Sequence, residues 1–426
     1  MTKLYKKSSY EYISSLRPKF QARVDVSSIR KSFAFSNKIV PNKDDNTLGT
    51  SIIYSQGSDI YEIDCTIPIE SKKEPKPESE YGDAFTGVEG KPLAPKWVYQ
   101  GETVSKISYL GSGYDTTVLV MSQNGSLGWF KDGIKVPFHI VQEMMGPATS
   151  YSAIHSHVRP GDLAVSDFSL SFDNETIVKS QSNGTEEESI LKIVDNAGKP
   201  SEILRTIRVP GTNITHTVRF FDNHLFASCS DDNVLRFWDV RTGDKPLFIL
   251  SDPQNGRLTA FDSSTVTNNL FVTGFSTGIV KLWDVRAVET ATTDLTNRQN
   301  GEDPIQKEIA NFYHSGGDTV ADVQFSYTSP YDVVTVGGSG NIYHWDMEYA
   351  MSNYDEADLG NLPQEASEEL QAQTLKFLHT GGSRRTAQQK GFRNTVAYHP
   401  VVDGLVGNVD DDGLISIYKP FTVNSE

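Results

Sequence analysis

The chain has 426 residues with 39 Lys or Arg against 55 Asp or Glu, a net charge of −16, which excludes broad electrostatic wrapping of nucleic acid because that needs an extended basic face. Hydrophobic residues are 37% and glycine adds 33 positions, an apolar share of about 45% that fits a folded domain and excludes global disorder. No apolar run reaches the ~18 residues of a membrane-spanning helix, residues 2–7 carry three lysines with no apolar stretch behind them, and the only cysteines are Cys65 and Cys229; a reducing, intracellular setting is therefore expected, with neither secretion nor membrane insertion.

In chain order, the pattern of Tyr10 to Leu16 predicts a short amphipathic helix stopped by Pro18, and residues 20–26 a strand that closes a ring beside the last repeat. The organising signal is a repeat. The run from Ser228 to Asp239 reappears from Thr273 to Asp284, and the tryptophans Trp238 and Trp283 are 45 residues apart. That period, ending in Trp-Asp, is the signature of a four-stranded propeller blade. One blade cannot bury both of its faces alone, whereas blades stacked in a ring bury both and leave few unpaired edges.

Counting six residues on from each tight turn gives a slot on the strand of every blade. The slots fall at Ile63, Phe130, Val194, Trp238, Trp283, Trp345 and Tyr418, with Asp239, Asp284 and Asp346 completing the Trp-Asp pairs and Asp232 and Asp412 in the turns. Intervals longer than about 45 residues read as loop insertions, the largest at 66–96, 288–307 and 348–373. The acidic, proline-containing stretch around Glu74, Pro75 and Pro77 has the composition of a flexible segment, and residues 363–379 carry the pattern of a short helix. The expected fold is all-β: a seven-bladed β-propeller over residues 32–420, an N-terminal helix and ring-closing strand in 1–31, and a tail at 421–426.

The blades at Trp238, Trp283 and Trp345 resemble those of the WD40 superfamily. A closer resemblance, to the budding-yeast WD-repeat transcriptional modulators, rests on Tyr10-Glu11-Tyr12-Ile13-Ser14-Ser15-Leu16-Arg17-Pro18-Lys19-Phe20, Tyr54-Ser55-Gln56-Gly57-Ser58-Asp59-Ile60-Tyr61 and Gly381-Gly382-Ser383-Arg384-Arg385. The resemblance implies a non-enzymatic nuclear scaffold, with a cytoplasmic pool as a further expectation. It also implies repression of meiotic genes and silencing through deacetylase-type corepressor complexes, and nuclear retention of the ribonucleotide reductase small subunit. The alternatives are a histone-binding subunit of a chromatin complex and, behind it, a propeller enzyme with a central-channel site. One departure stands out: the Gly-His pair that opens many such blades is absent, His216 lying near its place in blade four.

Motifs that suggest chemistry have plainer readings. Gly274-Phe275-Ser276-Thr277-Gly278 spells a nucleophile elbow, but the elbow needs a following helix and Ile279 to Asp284 is strand-like. His155 and His157 have only Asp162 as a near carboxylate, too few ligands for a metal, and no cofactor is expected. Neither Gly111-Ser112-Gly113 nor Gly337-Gly338 leads into a helix that would aim N–H groups at a phosphate. Glu186, Glu187 and Glu188, like Asp410, Asp411 and Asp412, read as solvated turn carboxylates, with Asp412 making the turn bonds; Asp410 and Asp411 alternatively form an acidic rim for a basic tail. Arg384, Arg385, Lys390 and Arg393 concentrate basic charge in an acidic chain. They are the candidate dock for an acidic partner segment or an import receptor.

Overall fold

The computed structural model describes residues 10–21, 31–42, 46–69, 83–110 except 86 and 89, 118–122, 125–143, 166–182, 188–297 except 213, 308–352, 364–380 and 395–420 except 411. Seven antiparallel sheets form a β-propeller, six with four strands and the first with a fifth strand, Val40–Asn42, added at its second. The innermost strands, blade one to blade seven, are Lys31–Phe35, Val104–Tyr109, Phe168–Leu170, Thr215–Phe220, Leu258–Ser263, Val320–Phe325 and Val396–Tyr398.

Alternation along each strand sends neighbouring side chains to opposite faces, so every blade supplies apolar groups to two interfaces. The slot residues share this geometry. Ile63 lies in the core between blades seven and one, Phe130 between one and two, Val194 between two and three, and Trp238 between three and four. Trp283, Trp345 and Tyr418 continue the series, each in the core shared with the preceding blade. In blades four to six the indole also has a polar anchor ten residues back: Nε1 donates to Ser228 Oγ at 2.9 Å, to Thr273 Oγ1 at 2.8 Å and to Thr335 Oγ1 at 2.8 Å. The aspartate that follows each Trp accepts the N–H two residues further on, from Arg241, Arg286 and Glu348, and so shapes the turn out of the strand.

The amino-terminal segment corrects the sequence expectation. Tyr10–Leu16 is a strand, not a helix, and it is this strand that closes the ring by pairing antiparallel with Ile415–Pro420. Both of its faces find apolar partners: Tyr12 and Leu16 enter the core with blade one, while Ile13 joins the core between blades six and seven. A helix of seven residues would lack the length to sustain itself and would offer only one buried stripe. Lys19–Phe20 makes a short parallel pair with Pro92–Leu93 instead of closing the ring, and Phe20 stacks on Tyr54 with ring centroids 6.0 Å apart; residues 22–26 of the expected strand lie outside the described residues.

Among the described residues three α-helices sit in the insertions, the shortest being Glu348–Ser352. Gln364–Thr374 leads directly into the outer strand of blade six, within the stretch whose pattern predicts a helix. Val285–Asn297 occupies what reads as a loop insertion, and its start is anchored by Val285 and Val288, three residues apart and both buried in the core between blades four and five.

Candidate functional site

The inner strands converge on a central cavity of about 530 Å³. Five consecutive blades each send one charged side chain to it: Lys106, Asp167, Arg219, Asp262 and Asp322. Asp167 is the hub, with Oδ1 2.7 Å from Lys106 Nζ, Oδ2 2.6 Å from Arg219 Nη1, and the same Oδ2 accepting the Val218 N–H at 3.1 Å. Arg219 Nε reaches Asp262 Oδ1 at 3.1 Å, and Asp262 Oδ2 accepts the N–H of Phe325 at 2.9 Å. Each contact joins different blades, so the charges cross-link the ring from inside.

Burial sets the protonation of this group. It pushes the Lys106 ammonium down to about 8, helped by the Arg219 charge and opposed by Asp167. It also raises the Asp262 carboxyl, against the pull of Arg219. For Arg219 burial works the other way from the net result: Asp167, Asp262 and Asp322 outweigh it and hold the guanidinium above its usual range. The arrangement is a fixed ionic floor whose carboxylates are oriented by backbone N–H groups and by cations.

Around the floor stand half-buried and exposed aromatic rings, Tyr109, Phe172 and Tyr327. Gln324 fixes one of them: its Nε2 donates to the Tyr327 hydroxyl at 3.1 Å while its Oε1 accepts the Tyr398 N–H at 3.0 Å, linking blade six to blade seven.

A second polar chain runs through blade six. His314 Nε2 lies 2.7 Å from Thr335 Oγ1, the acceptor of the Trp345 indole, and His314 Nδ1 lies 3.1 Å from the Asp318 carbonyl. His314 also stacks on Tyr343 at 4.0 Å, and burial drives its pKa down to about 3, so the ring is neutral. This histidine supplies the blade-opening role for which the sequence offers no Gly-His pair. Its signal was position alone, just past the outer strand Ala310–Tyr313.

The sequence-predicted site residues are distributed differently. Arg384, Arg385, Lys390 and Arg393 lie outside the described residues, in the stretch between the outer strand of blade six, Leu375–His379, and the inner strand of blade seven. Asp411 is outside them too. Asp410, read as a solvated rim carboxylate, is buried at 6% exposure, and its Oδ1 accepts the Leu414 N–H at 2.8 Å. Asp410 thus caps that turn, its carbonyl also accepting the Gly413 N–H, and Asp412 is exposed beside it. Asp232 accepts the Val234 N–H at 3.2 Å and pairs with Arg236.

Of the other motifs, Gly274 to Gly278 spans a strand end and hairpin turn between Leu270–Phe275 and Ile279–Asp284, and a Cβ on Gly274 would meet Val320 Cγ1 at 2.3 Å. Its glycine serves packing between blades five and six. His155, His157, Asp162, Glu186 and Glu187 are outside the described residues, and Glu188 pairs with Arg208 at 2.8 Å. The ionic floor went unread in the sequence, although it has a trace there: Lys106, Arg219, Asp262 and Asp322 each interrupt an apolar innermost strand.

This ring of seven blades, three of them ending in Trp-Asp, defines a WD-repeat propeller with a polar central cavity. The family model for the WD domain, G-beta repeat, matches residues 202–239, a stretch that takes in the outer strand of blade three and the first three strands of blade four. The matched repeat is therefore out of phase with the blade and straddles two sheets. In overall shape the chain is similar to a chain in the crystal structure of a mitotic checkpoint complex, with a TM-score of 0.56, 12% identity, and 97% of this chain and 95% of that one covered. Transcriptional modulator WTM1 of Saccharomyces cerevisiae is 66% identical over 427 residues, 98% of each chain. Transcriptional modulator WTM2 of the same yeast is 61% identical, over 97% of this chain and 93% of its own length. The chain belongs to the family of yeast WD-repeat transcriptional modulators.

Proposed function

We propose that this protein is a non-enzymatic nuclear scaffold that modulates transcription by holding other proteins on its propeller. The observation that carries the proposal is the end-to-end similarity to WTM1, on a ring whose closed, cross-linked architecture presents loops from seven rigid blades. A rigid presenter loses little of its own freedom on binding, which favours capture of partner segments. The partners proposed are deacetylase-type corepressor complexes, with repression of meiotic genes and silencing as the outcome, and the ribonucleotide reductase small subunit, retained in the nucleus by the same scaffold. The basic group Arg384, Arg385, Lys390 and Arg393 is proposed to contact an acidic segment of one of them.

The test is a tethering assay. Fused to a heterologous DNA-binding domain, the chain is expected to lower expression of a reporter with upstream sites, and the lowering is expected to depend on a deacetylase that co-purifies with it. Reporter expression unchanged by tethering, with the fusion folded and nuclear, would sink the transcriptional reading. Carried out in parallel, Arg384→Glu/Arg385→Glu is expected to lose at least one co-purifying protein; an unchanged set removes the basic loop from the proposal.

A further inference from the structure

We infer that the central cavity binds a single basic side chain, Lys or Arg, presented by a partner peptide. The inference deepens the scaffold reading, on which it rests for the assumption that a peptide is the partner.

Among the described residues lining the cavity, the charged side chains are three carboxylates, Asp167, Asp262 and Asp322, and two cations, Lys106 and Arg219. With all five ionised the floor therefore carries an excess of one negative charge, in a site where low dielectric strengthens any compensating cation. The floor is reachable: the Asp262 and Arg219 side chains keep 16% and 17% exposure. An anion would meet the three carboxylates, and an apolar residue would desolvate the floor without compensation. A long basic side chain does neither.

The walls agree with the floor. Tyr327, 44% exposed, stands at the mouth with its hydroxyl fixed by Gln324, and Tyr109 and Phe172 line the same space. Aromatic faces attract cations through their quadrupole. The cavity already uses that attraction with its own lysine: Lys106 Nζ lies 4.9 Å from the centroid of the Phe168 ring. The alkyl stem of a Lys or Arg would pack between the rings while its head meets Asp262 and Asp322.

The experiment uses the full chain and three fluorescein-labelled Gly-Ser peptides that differ only at a central residue: Arg, Lys or Gln. Anisotropy is expected to show the Arg and Lys peptides binding with a Kd on the order of 1 mM or tighter, weakening with added salt, and the Gln peptide not binding. Tyr327→Ala changes an exposed ring and leaves the floor intact; it is expected to weaken the Arg peptide about tenfold, as is Asp322→Asn. Because Asp322 is buried, circular dichroism accompanies that variant, and Tyr327→Ala decides the matter if Asp322→Asn unfolds. Equal binding of the Gln peptide, no binding of any peptide, or full binding by Tyr327→Ala would each overturn the inference. Basic-peptide binding with reporter expression unchanged by tethering would uphold the cavity and remove the transcriptional reading; the reverse pattern would do the opposite.

Discussion

Removing the closing strand should cost most of the protein's stability. Deletion through Arg17 takes away the partner of Ile415–Pro420 at six paired positions, and with it Tyr12, Ile13 and Leu16, which are 5%, 8% and 6% exposed. Burial of side chains of this size contributes roughly 1.5–3 kcal/mol each, so the three together amount to about 5–9 kcal/mol. A folded domain of ordinary stability has about 5–15 kcal/mol to lose. The truncated chain is therefore expected to unfold at a much lower urea concentration, or to aggregate through the strand edge that the deletion exposes. Urea titration followed by tryptophan fluorescence measures the shift. Adding a synthetic peptide of residues 8–20 in trans should restore part of the lost midpoint, in proportion to peptide concentration. A truncated chain whose midpoint matches the full-length protein would refute the reasoning, since it would show that the last blade stands without its fourth strand.

Thr335→Val removes the oxygen shared by the Trp345 indole and His314, whereas Thr273→Val removes only the acceptor of Trp283; with about 1–3 kcal/mol for each buried group left unsatisfied, the first should lower the melting temperature more than the second, and equal shifts would argue against the His314 chain. Gly274→Ala places a methyl against Val320, which should cost about 1–3 kcal/mol or more by overpacking, while the reciprocal relief, Val320→Ala in the same chain, should recover part of it in a double-mutant cycle. Burial holds His314 and His344 down to about 3 and His379 and His399 down to about 4. The unfolded chain takes up these protons near pH 6.5 and the folded one does not, so stability should fall as pH drops from about 6.5 towards 4, by about 1.4 kcal/mol per pH unit for each fully responding histidine. Urea midpoints that stay flat between pH 7 and 5, or imidazole NMR shifts showing charged rings at pH 5, would contradict this.

The seven-bladed ring was legible because its strongest copies repeat both a period and a chemistry: Trp238, Trp283 and Trp345 carry an apolar plate and an N–H at the same distance from a tight turn. Where the slot holds Ile63, Phe130 or Val194 only the turn spacing remains, and that was enough because interface packing asks for bulk at the position and tolerates different shapes. The closing strand was not legible. Tyr12, Ile13 and Leu16 have the spacing of a helical stripe, and only the two neighbouring blades, distant in sequence, reveal that both faces are covered. The ionic floor was hidden for a similar reason: Asp167 meets Lys106 and Arg219 from 61 and 52 positions away. Single charged residues inside apolar strands marked the places without indicating the pairing. Asp410 shows the limit of reading carboxylate runs as solvated, since a hairpin can turn one of them inward onto its own backbone.

Closure by an amino-terminal strand has a bearing on how the molecule is made. Ser15 and Ser416 join hydroxyls across 401 positions of chain, so the earlier-made segment must wait unpaired until the last blade has emerged. Blades one to six contain all their own strands and can assemble during synthesis, whereas the seam forms only once Ile415–Pro420 has emerged. Anything that occupies the waiting segment in the interval, such as a chaperone, a fused tag or another nascent copy, competes directly with completion of the ring.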